Sequence, residues 1–378
     1  MLSRGYRNTG AMPSLLGFGC MRLPRLRADS QEIDAARAQS LIDYAYAHGV
    51  NYYDTAYMYH DGLSEAFIGQ ALRKYPRDSY FLADKMPAWK MTEEAQVDRI
   101  FQEQLQRCGV EYFDFYLCHG MDHANLEKFQ KFHVFEYLER QKAAGRIRRL
   151  GFSFHDTPAV LETILNLRDW DFAQIQLNYL DWTAQDARGQ YELLASHGIP
   201  VVVMEPVRGG ALATLCPEAA EVLRAVHPEA SLASWALRFA ASQPGVMTVL
   251  SGMSDEAQVR DNVETFLRFQ PLDAAEQAAL KKAKDLYQAH LTIPCTGCRY
   301  CMDCPSGVDI PLMFRLYNAY LLSRREAPYL QQYHALPEEQ RATACIACGR
   351  CATHCPQHIA IPDRMKEIRT CVEKLENS

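Results

Sequence analysis

The sequence predicts an α/β fold in which a closed (β/α)8 barrel, a TIM barrel, is followed by a small, mostly α-helical module. Three observations support this prediction. Eight strand-like segments alternate with amphipathic segments between residues 14 and 263, eight cysteines fall in two tight runs near the C-terminus, and the stretch between those runs is helical in character. A chain of 378 residues suits one large α/β unit with an appendage. We predict domains over residues 1–285 and 286–378.

Short apolar segments with the composition of buried strands occur eight times. They are Leu15–Gly19, Val50–Asp54, Tyr80–Lys85, Phe113–His119, Arg149–Phe154, Phe172–Leu177, Pro200–Glu205 and Met247–Gly252. Eight strands with helices between them favour a closed parallel barrel. An open doubly wound sheet is the alternative, but the turn from Gly17 to Arg22 does not continue as a dinucleotide-binding fingerprint.

The connecting segments carry apolar residues at helical spacing, as in Val97, Ile100, Phe101 and Leu105. The predicted helices include Arg37–Tyr46, Thr92–Arg107, Leu126–Arg140, Ala159–Leu167, Gln190–Ser196, Leu232–Ala241 and, after the last strand, Ala274–His290. This alternation of short strands with longer helices is typical of a parallel sheet.

Composition excludes several classes of protein. The net charge is -6 and no polybasic run occurs, so we expect no nucleic-acid partner. No apolar run reaches the length of a membrane span, and the first ten residues lack the apolar core of a signal peptide. We therefore expect a cytoplasmic protein without a membrane partner.

Polar residues stand at the ends of three consecutive predicted strands. Asp54 ends the second strand, Lys85 the third and His119 the fourth, while Tyr59 lies on the loop after the second strand. Catalytic residues of parallel barrels lie at these strand ends. A buried lysine needs a partner, and Asp54 is the available one. Lys85 would lower the pKa of Tyr59, and His119 would orient a carbonyl oxygen for protonation by Tyr59.

Asp54, Tyr59, Lys85 and His119 resemble the catalytic tetrad of the aldo-keto reductase family, in residue type and in order, and the resemblance covers about residues 15–267. It implies an NAD(P)-dependent oxidoreductase that reduces an aldehyde, ketone or sugar to an alcohol. The resemblance also implies positions for NADP(H) or NAD(H). Ser153 and Gln174 would bind the nicotinamide carboxamide, and Met204 and Pro206 belong to the segment beside the nicotinamide ring. Gly209 and Gly210 would lie close to the pyrophosphate, and Ser254, Gln258 and Asn262 would line the adenosine-phosphate region. Phe154 replaces an asparagine of the family pattern, and Arg208 or Arg260 would stand in for missing basic residues.

Thirteen cysteines are unevenly distributed, which in a chain of this kind indicates metal rather than disulfides. Eight lie in two runs, Cys295-x2-Cys298-x2-Cys301-x2-Cys304 and Cys345-x2-Cys348-x2-Cys351-x3-Cys355-Pro. The second run has the spacing of a [4Fe–4S] ferredoxin site, in which the fourth cysteine ligates the other cluster. We therefore predict two [4Fe–4S] clusters. One would bind Cys295, Cys298, Cys301 and Cys355, and the other Cys345, Cys348, Cys351 and Cys304.

Zinc is the alternative metal, but pairs of cysteines at zinc spacing would leave cysteines over in each run. Helical patterns over 311–320 and 326–333 favour an α-helical ferredoxin-type domain. With this domain and its cysteine runs, the chain resembles an iron–sulfur-containing branch of the family. Three histidines fall in or near this module, His334, His354 and His358, and lone histidines are commonly surface residues or neighbours of a site.

The leading hypothesis is a carbonyl reductase fused to a two-cluster module, with a small carbonyl or alcohol as substrate and a ferredoxin-like or other redox partner. The alternative is an electron-transfer or cofactor-binding regulatory protein with little carbonyl turnover. Hydride transfer moves two electrons and a [4Fe–4S] cluster takes one, so a direct connection would need a converter such as a flavin. Tyr57, Trp89 and Trp182 are candidates for the substrate wall, with ordinary packing as the alternative.

Overall fold

The computed structural model describes residues 1–5, 10–27, 30–290 and 292–377. These residues form two compact units, Met1–Pro206 with Ser234–Leu272, and Val207–Ala233 with Asp273–Ser378. The first unit contains a closed barrel of eight parallel strands in sequential order, which confirms the predicted fold class. Within the described ranges, no helix is both long and apolar enough to cross a membrane.

The barrel strands occupy the predicted segments. They are β1 Leu16–Gly19, β2 Tyr52–Asp54, β3 Phe81–Met86, β4 Phe115–Met121, β5 Leu150–Phe154, β6 Phe172–Gln176, β7 Val201–Met204 and β8 Val246–Ser251. Strand β2 begins two residues later than predicted. The reason is local, because the Asn51 amide donates to the Ser14 hydroxyl over 3.0 Å and the Val50 amide donates to the Ala45 carbonyl of the preceding helix.

Fifteen α-helices surround or follow these strands in the described residues. They are α1 Ala35–Ala47, α2 Leu63–Leu72, α3 Ala95–Cys108, α4 His123–Lys131, α5 Val134–Ala143, α6 Pro158–Leu165, α7 Asp181–Ala184, α8 Ala187–Ser196, α9 Pro217–Arg224, α10 Leu232–Ala241, α11 Glu256–Leu267, α12 Ala274–Gln288, α13 Ile310–Ser323, α14 Glu326–His334 and α15 Ile361–Glu376. Short 3-10 turns link several of them, including Tyr59–Gly62, Ala88–Lys90 and Arg350–His354.

One helix prediction is wrong. The single helix expected over Leu126–Arg140 is two helices, α4 and α5, that meet at Phe132 and His133. His133 has φ 50°, which places it in the left-handed region and ends the helical path. Both halves carry apolar residues at helical spacing, so sequence periodicity did not reveal the break.

The barrel interior explains why polar residues meet at one end. Alternate residues of a strand share a face, so Tyr52 and Asp54, or Ala83 and Lys85, point the same way. In the register of the sheet Asp54 pairs with Ala83 and Lys85 pairs with Leu117. A buried apolar cluster that includes Tyr52, Ala83 and Leu117 fills the barrel below. The inward face therefore changes from apolar to polar toward the carboxyl ends of the strands.

The second unit has its own core. Helices α13, α14 and α15 enclose buried side chains that include Phe314, Tyr329, Tyr333 and Ile368. Cys301 and Cys351 lie at the edge of this core and are themselves buried. The cysteine runs thus rest on a helical framework, as the sequence predicted.

Candidate active site and cysteine clusters

The four tetrad positions come together at the carboxyl ends of β2, β3 and β4. Asp54 is the last residue of β2, Lys85 the fifth of β3 and His119 the fifth of β4, and Tyr59 opens the 3-10 turn after β2. All four side chains are buried, with exposed fractions of 2%, 0%, 4% and 8% for Asp54, Lys85, His119 and Tyr59. The predicted juxtaposition is therefore present in the structure.

Lys85 is the hub of this group. Its Nζ donates to Asp54 Oδ1 over 2.6 Å, to the Thr55 carbonyl over 2.7 Å and to the Tyr59 hydroxyl over 3.2 Å. Burial raises the pKa of Asp54, and the Lys85 ammonium opposes that rise. Because the three acceptors satisfy the three ammonium donors, Lys85 is held in one position.

Tyr59 is held by an irregular turn. His60 and Asp61, which follow it, have φ of 52° and 53°, an unfavourable conformation for residues with a Cβ. The Tyr59 amide donates to the Ala56 carbonyl over 3.0 Å. The Thr55 and Ser64 hydroxyls hydrogen-bond to each other across the turn over 2.9 Å. These contacts fix the phenol over Lys85.

The expected lowering of the phenol pKa is not met. Burial raises the pKa of Tyr59 well above its ordinary value, and the nearby Asp54 carboxylate adds to the rise. Desolvation exceeds the opposing effect of the Arg22 charge because the whole side chain is removed from water. Tyr59 is therefore protonated at neutral pH, the state that a proton donor requires.

His119 is the fourth member. Burial lowers its pKa well below the ordinary value, and the Lys85 charge lowers it further, so the ring is neutral. Its ring meets that of Tyr59 edge-on at 6.1 Å and that of Trp89 at 4.8 Å. Among the described residues its buried Nδ1 has no hydrogen-bond partner. A neutral imidazole held between two aromatic rings can donate one N–H to a carbonyl oxygen.

Two predicted cofactor residues lie side by side on neighbouring strands. Ser153 of β5 pairs in register with Gln174 of β6, and both are buried. The Gly120 amide donates to Ser153 Oγ over 2.8 Å, which leaves the serine hydroxyl hydrogen available. Gln174 Oε1 is buried without a hydrogen-bond partner in the described part of the chain. One donor and one orphan acceptor fit a primary carboxamide.

Met204 and Pro206 follow on the next strand. Met204 ends β7, is half-buried and pairs with Gln176 of β6, while Pro206 is buried. Glu205 between them has φ 52°. Its backbone carbonyl accepts from Asn178 Nδ2 over 3.0 Å, which holds this turn. A methionine here can offer a polarizable face to an aromatic ring.

The three residues predicted to line a phosphate region are engaged with one another and with their neighbours. Ser254 N donates to Gln258 Oε1 over 2.9 Å, and Gln258 N donates to Asp255 Oδ1 over 2.9 Å. Asn262 is buried and donates to the Ser251 hydroxyl. Asp255 thus caps α11 with its own carboxylate, at the position where an anion would otherwise bind. Arg260 pairs with Glu256 over 2.5 Å.

Gly209 and Gly210 belong to the second unit. Their φ values of 63° and 93° are left-handed, as a tight loop requires. A Cβ added to Gly209 would lie 2.0 Å from the Thr296 carbonyl oxygen, whereas one on Gly210 would meet no atom within 4 Å. The close approach of the Thr296 backbone therefore explains the glycine at position 209 but not the glycine at position 210.

The suggested substrate-wall residues differ in their surroundings. Trp89 contacts His119, as a wall residue would. Tyr57 instead donates to Glu103 and lies under Arg107 at 4.6 Å, and Trp182 packs on Phe239. Packing explains the last two.

Sequence reasoning missed an ion pair beside the tetrad. Arg22 and Glu205 approach to 2.8 Å, and both influence the Tyr59 phenol electrostatically. They come from the loops after β1 and β7, so no local motif joins them. The proximity of the two side chains follows from the closure of the barrel, which brings the loops after β1 and β7 together.

The eight clustered cysteines fall into two groups of thiols. Burial raises the pKa of Cys301, and the neighbouring thiols of Cys298, Cys295 and Cys355 raise it further. Burial likewise raises the pKa of Cys351, with Cys304, Cys345 and Cys348 as its thiol neighbours. Cys304, Cys345, Cys348 and Cys351 also line one cavity. These are the crossed sets that the spacing predicted.

The two cysteine loops share a backbone pattern. Residues on either side of the second cysteine are left-handed in both, Gly297 and Arg299 with φ 68° and 67°, and Ala347 and Gly349 with φ 57° and 78°. Such alternation turns successive amides toward one centre and suits an anionic group. The Gly297 amide already donates to Cys295 Sγ over 3.3 Å. The loops therefore fit anionic iron–sulfur clusters.

The histidines near the module have other partners. His334 pairs with Glu376 over 2.9 Å, and His354 approaches Asp303 to 3.6 Å. His358 has φ 50°. These contacts support the view that the module's histidines are surface residues.

Comparison with known proteins identifies the class. The model of the aldo/keto reductase family matches residues 15–285, well over half of the chain, and the model of a 4Fe-4S dicluster domain matches residues 294–360. The chain therefore belongs to the aldo/keto reductase family of oxidoreductases and carries a C-terminal 4Fe-4S domain.

Individual members of the family are similar to this chain in sequence or in structure. It is 24% identical over 290 residues to L-galactose dehydrogenase of Arabidopsis thaliana, spanning 71% of this chain and 89% of that one. NADH-specific methylglyoxal reductase of Escherichia coli is 24% identical over 295 residues, spanning 66% and 89%. The holo form of an aldo-keto reductase from Bacillus halodurans is similar in structure, with a TM-score of 0.62, 28% identity and coverage of 75% and 96%.

Proposed function

We propose that the barrel reduces a small aldehyde, ketone or sugar to the alcohol with NADH or NADPH, and that Tyr59 donates the proton. The observation that carries this proposal is the buried contact of Lys85 Nζ with Asp54 over 2.6 Å and with the Tyr59 hydroxyl over 3.2 Å. A protonated phenol beside a fixed ammonium is a competent general acid.

The residues of the chain divide the work. His119 donates an N–H to the substrate oxygen and orients it, Tyr59 transfers its hydroxyl proton to that oxygen, and Lys85 stabilises the resulting phenolate. Asp54 keeps Lys85 charged. Ser153 and Gln174 bind the carboxamide of the nicotinamide, whose chemistry is to supply the hydride.

The same proposal includes further contacts with the cofactor. Met204 and Pro206 would lie beside the nicotinamide ring. Ser254, Gln258 and Asn262 would frame the adenosine phosphate, which would displace the Asp255 carboxylate from the N-terminus of α11. The pyrophosphate assignment of Gly209 and Gly210 rests on the family resemblance.

The Tyr59→Phe variant tests the catalytic proposal. It keeps the ring that packs on His119 and removes only the hydroxyl. We expect carbonyl turnover to fall roughly 10²–10⁴-fold, with nicotinamide binding retained, measured without oxygen against a panel of aldehydes and ketones. Unchanged turnover would refute the assignment, and Tyr57→Phe, whose hydroxyl binds Glu103, is the matched control.

We further propose that the module holds two [4Fe–4S] clusters and that the domains divide at residues 285 and 286. Each group of four neighbouring thiols would supply one ligand set, and the left-handed residues in both loops favour amides that turn toward an anionic cluster. Anaerobically purified protein should contain about eight iron atoms and matching sulfide. Zinc in place of iron, without sulfide, would contradict the proposal.

A role in one-electron transfer with a partner protein is the second candidate. Cys348 is exposed and its neighbour Ile346 is 68% exposed, an unusual position for a large apolar side chain beside a cluster. Ile346→Asp should slow reduction of the clusters by an added ferredoxin. The Leu167→Asp change, on an exposed leucine of the first unit, should not.

A further inference from the structure

Three potential metal ligands meet in the second unit outside the cysteine runs. Cys216, Glu218 and His290 bring one sulfur, one carboxylate oxygen and one imidazole nitrogen within 4.8 Å of one another. Cys216 is buried, His290 half-buried and Glu218 exposed. None of the three belongs to the tetrad or to the cluster ligands, so the grouping needs its own explanation.

The protein backbone positions each of these side chains. Cys216 is the N-cap of α9, and Glu218 is the second residue of that helix. His290 follows the end of α12, and α9 packs against α12. The triad therefore joins the start of one helix to the end of another, and it does not depend on a flexible surface loop.

The histidine is oriented for coordination. Its Nδ1 lies 3.1 Å from the Leu321 carbonyl of α13, and a carbonyl can only accept, so Nδ1 carries the hydrogen. Nε2 is then the lone-pair nitrogen. A bond from the other ring nitrogen to a backbone carbonyl is the usual way in which a metal-binding histidine is held.

The position of the Cys216 sulfur also favours coordination of a metal ion. Cys216 is buried at the N-terminus of α9, where the positive end of the helix dipole favours a thiolate. Burial is the larger effect and raises the pKa of the free thiol, with Glu218 adding to it.

We propose that Cys216, Glu218 and His290 bind one Zn²⁺ ion, with water in the fourth position. Mixed sulfur, nitrogen and oxygen ligands suit zinc and exclude Mg²⁺ or Ca²⁺, which prefer oxygen alone. Binding displaces the Cys216 proton to solvent, and the thiolate, carboxylate and neutral imidazole close on the ion. The exposed Glu218 leaves the water position open to solvent. This site is independent of the proposed carbonyl reduction.

The test uses the full-length protein with its iron–sulfur clusters, dialysed without oxygen against buffered micromolar Zn²⁺. Zinc and iron are counted per chain, and zinc-edge X-ray absorption reports the ligands without interference from iron. We expect a single equivalent of zinc bound to one sulfur at about 2.3 Å and to nitrogen or oxygen at about 2.0 Å, with iron unchanged.

Variants assign the site. Cys216→Ser, Glu218→Gln and His290→Ala should each weaken zinc binding beyond the roughly 10–100-fold that loss of an outer-sphere partner costs. Glu221→Gln, an exposed glutamate on the same helix, and His227→Ala, which pairs with Glu276, should bind zinc normally. Glu218 is exposed, so its variant keeps the fold intact. An all-sulfur zinc environment, absence of bound zinc, or insensitivity to all three variants would overturn the proposal.

Discussion

The tetrad and the cysteine groups are organised in opposite ways. The tetrad lies at the ends of hydrogen-bonded strands, with Lys85 donating to three acceptors that the protein itself supplies. The cysteines lie on irregular loops and 3-10 turns, and several loop residues are in the left-handed region. The first arrangement is a hydrogen-bonded group held by the strands of the sheet, whereas the second is two groups of thiols held on loops. The comparison suggests that the barrel preforms its site and that the metal assembles the other.

The largest effect should come from breaking the Lys85–Asp54 pair. Lys85→Met leaves the Asp54 carboxylate buried and uncompensated, at a cost of about 3–5 kcal/mol, and turnover should fall at least about 100-fold. Adding Asp54→Asn removes the stranded charge, so the double variant should regain stability and remain inactive. Thermal unfolding and carbonyl turnover check both outcomes. A double variant as unstable as Lys85→Met would show that the pair is not the source of the cost.

The crossed cluster ligation can be separated by single cysteine changes. Cys355→Ser should impair the cluster of Cys295, Cys298 and Cys301, although Cys355 lies in the other run of the sequence. Iron content should drop by up to half, and electron paramagnetic resonance of the reduced protein should identify the remaining cluster. Cys371→Ser, a partly buried cysteine of α15, is the control and should retain full iron. Loss of the Cys345 cluster instead would reverse the assignment.

Gly209→Ala should disturb the module more than Gly210→Ala. The new Cβ would lie 2.0 Å from the Thr296 carbonyl, next to Cys295, so the loop must move, at about 1–3 kcal/mol for overpacking. At Gly210 only the left-handed φ opposes alanine, at about 1–2 kcal/mol. The rate of iron loss to a chelator compares the two variants. Equal rates would mean that the Gly209–Thr296 approach has no influence on the cluster loop.

The neutral His119 predicts a pH dependence of stability. Its folded pKa is depressed, so below the ordinary value of 6.5 the unfolded chain takes up a proton that the folded chain does not. Stability is therefore fully present above pH 6.5 and falls as pH drops toward the folded pKa, by up to about 1.4 kcal/mol per pH unit. In His119→Gln the slope in this window should be shallower. An unchanged slope would show that the pH dependence of stability comes from other groups, such as the buried His60.

The smallest effect concerns the cluster loops. Ala347→Gly removes a Cβ from a residue with φ 57°, which should relieve about 1 kcal/mol of backbone strain. The protein with clusters should tolerate the change and lose iron no faster than the wild type. Ala352→Gly, in the adjacent 3-10 turn, relieves no left-handed strain and serves as control. Faster iron loss from Ala347→Gly than from Ala352→Gly would argue against strain at this position.

Much of this architecture was readable from the sequence, and the exceptions have physical causes. Alternation of strands and helices, and acid, lysine and histidine at three strand ends, depend on local patterns, so they were predictable. The raised pKa of Tyr59 was not, because it depends on burial by the whole barrel. The Arg22–Glu205 pair joins loops that are far apart in sequence. The break at His133 depends on one backbone angle that the amphipathic pattern conceals.

Hydrogen exchange of the iron-loaded and iron-stripped protein, read by mass spectrometry, tests the central contrast most directly. The account predicts that residues 52–54, 81–86 and 115–121 stay protected when iron is removed, while residues 342–360 lose protection. Retained protection over 342–360, or loss of protection across the three strands, would contradict it.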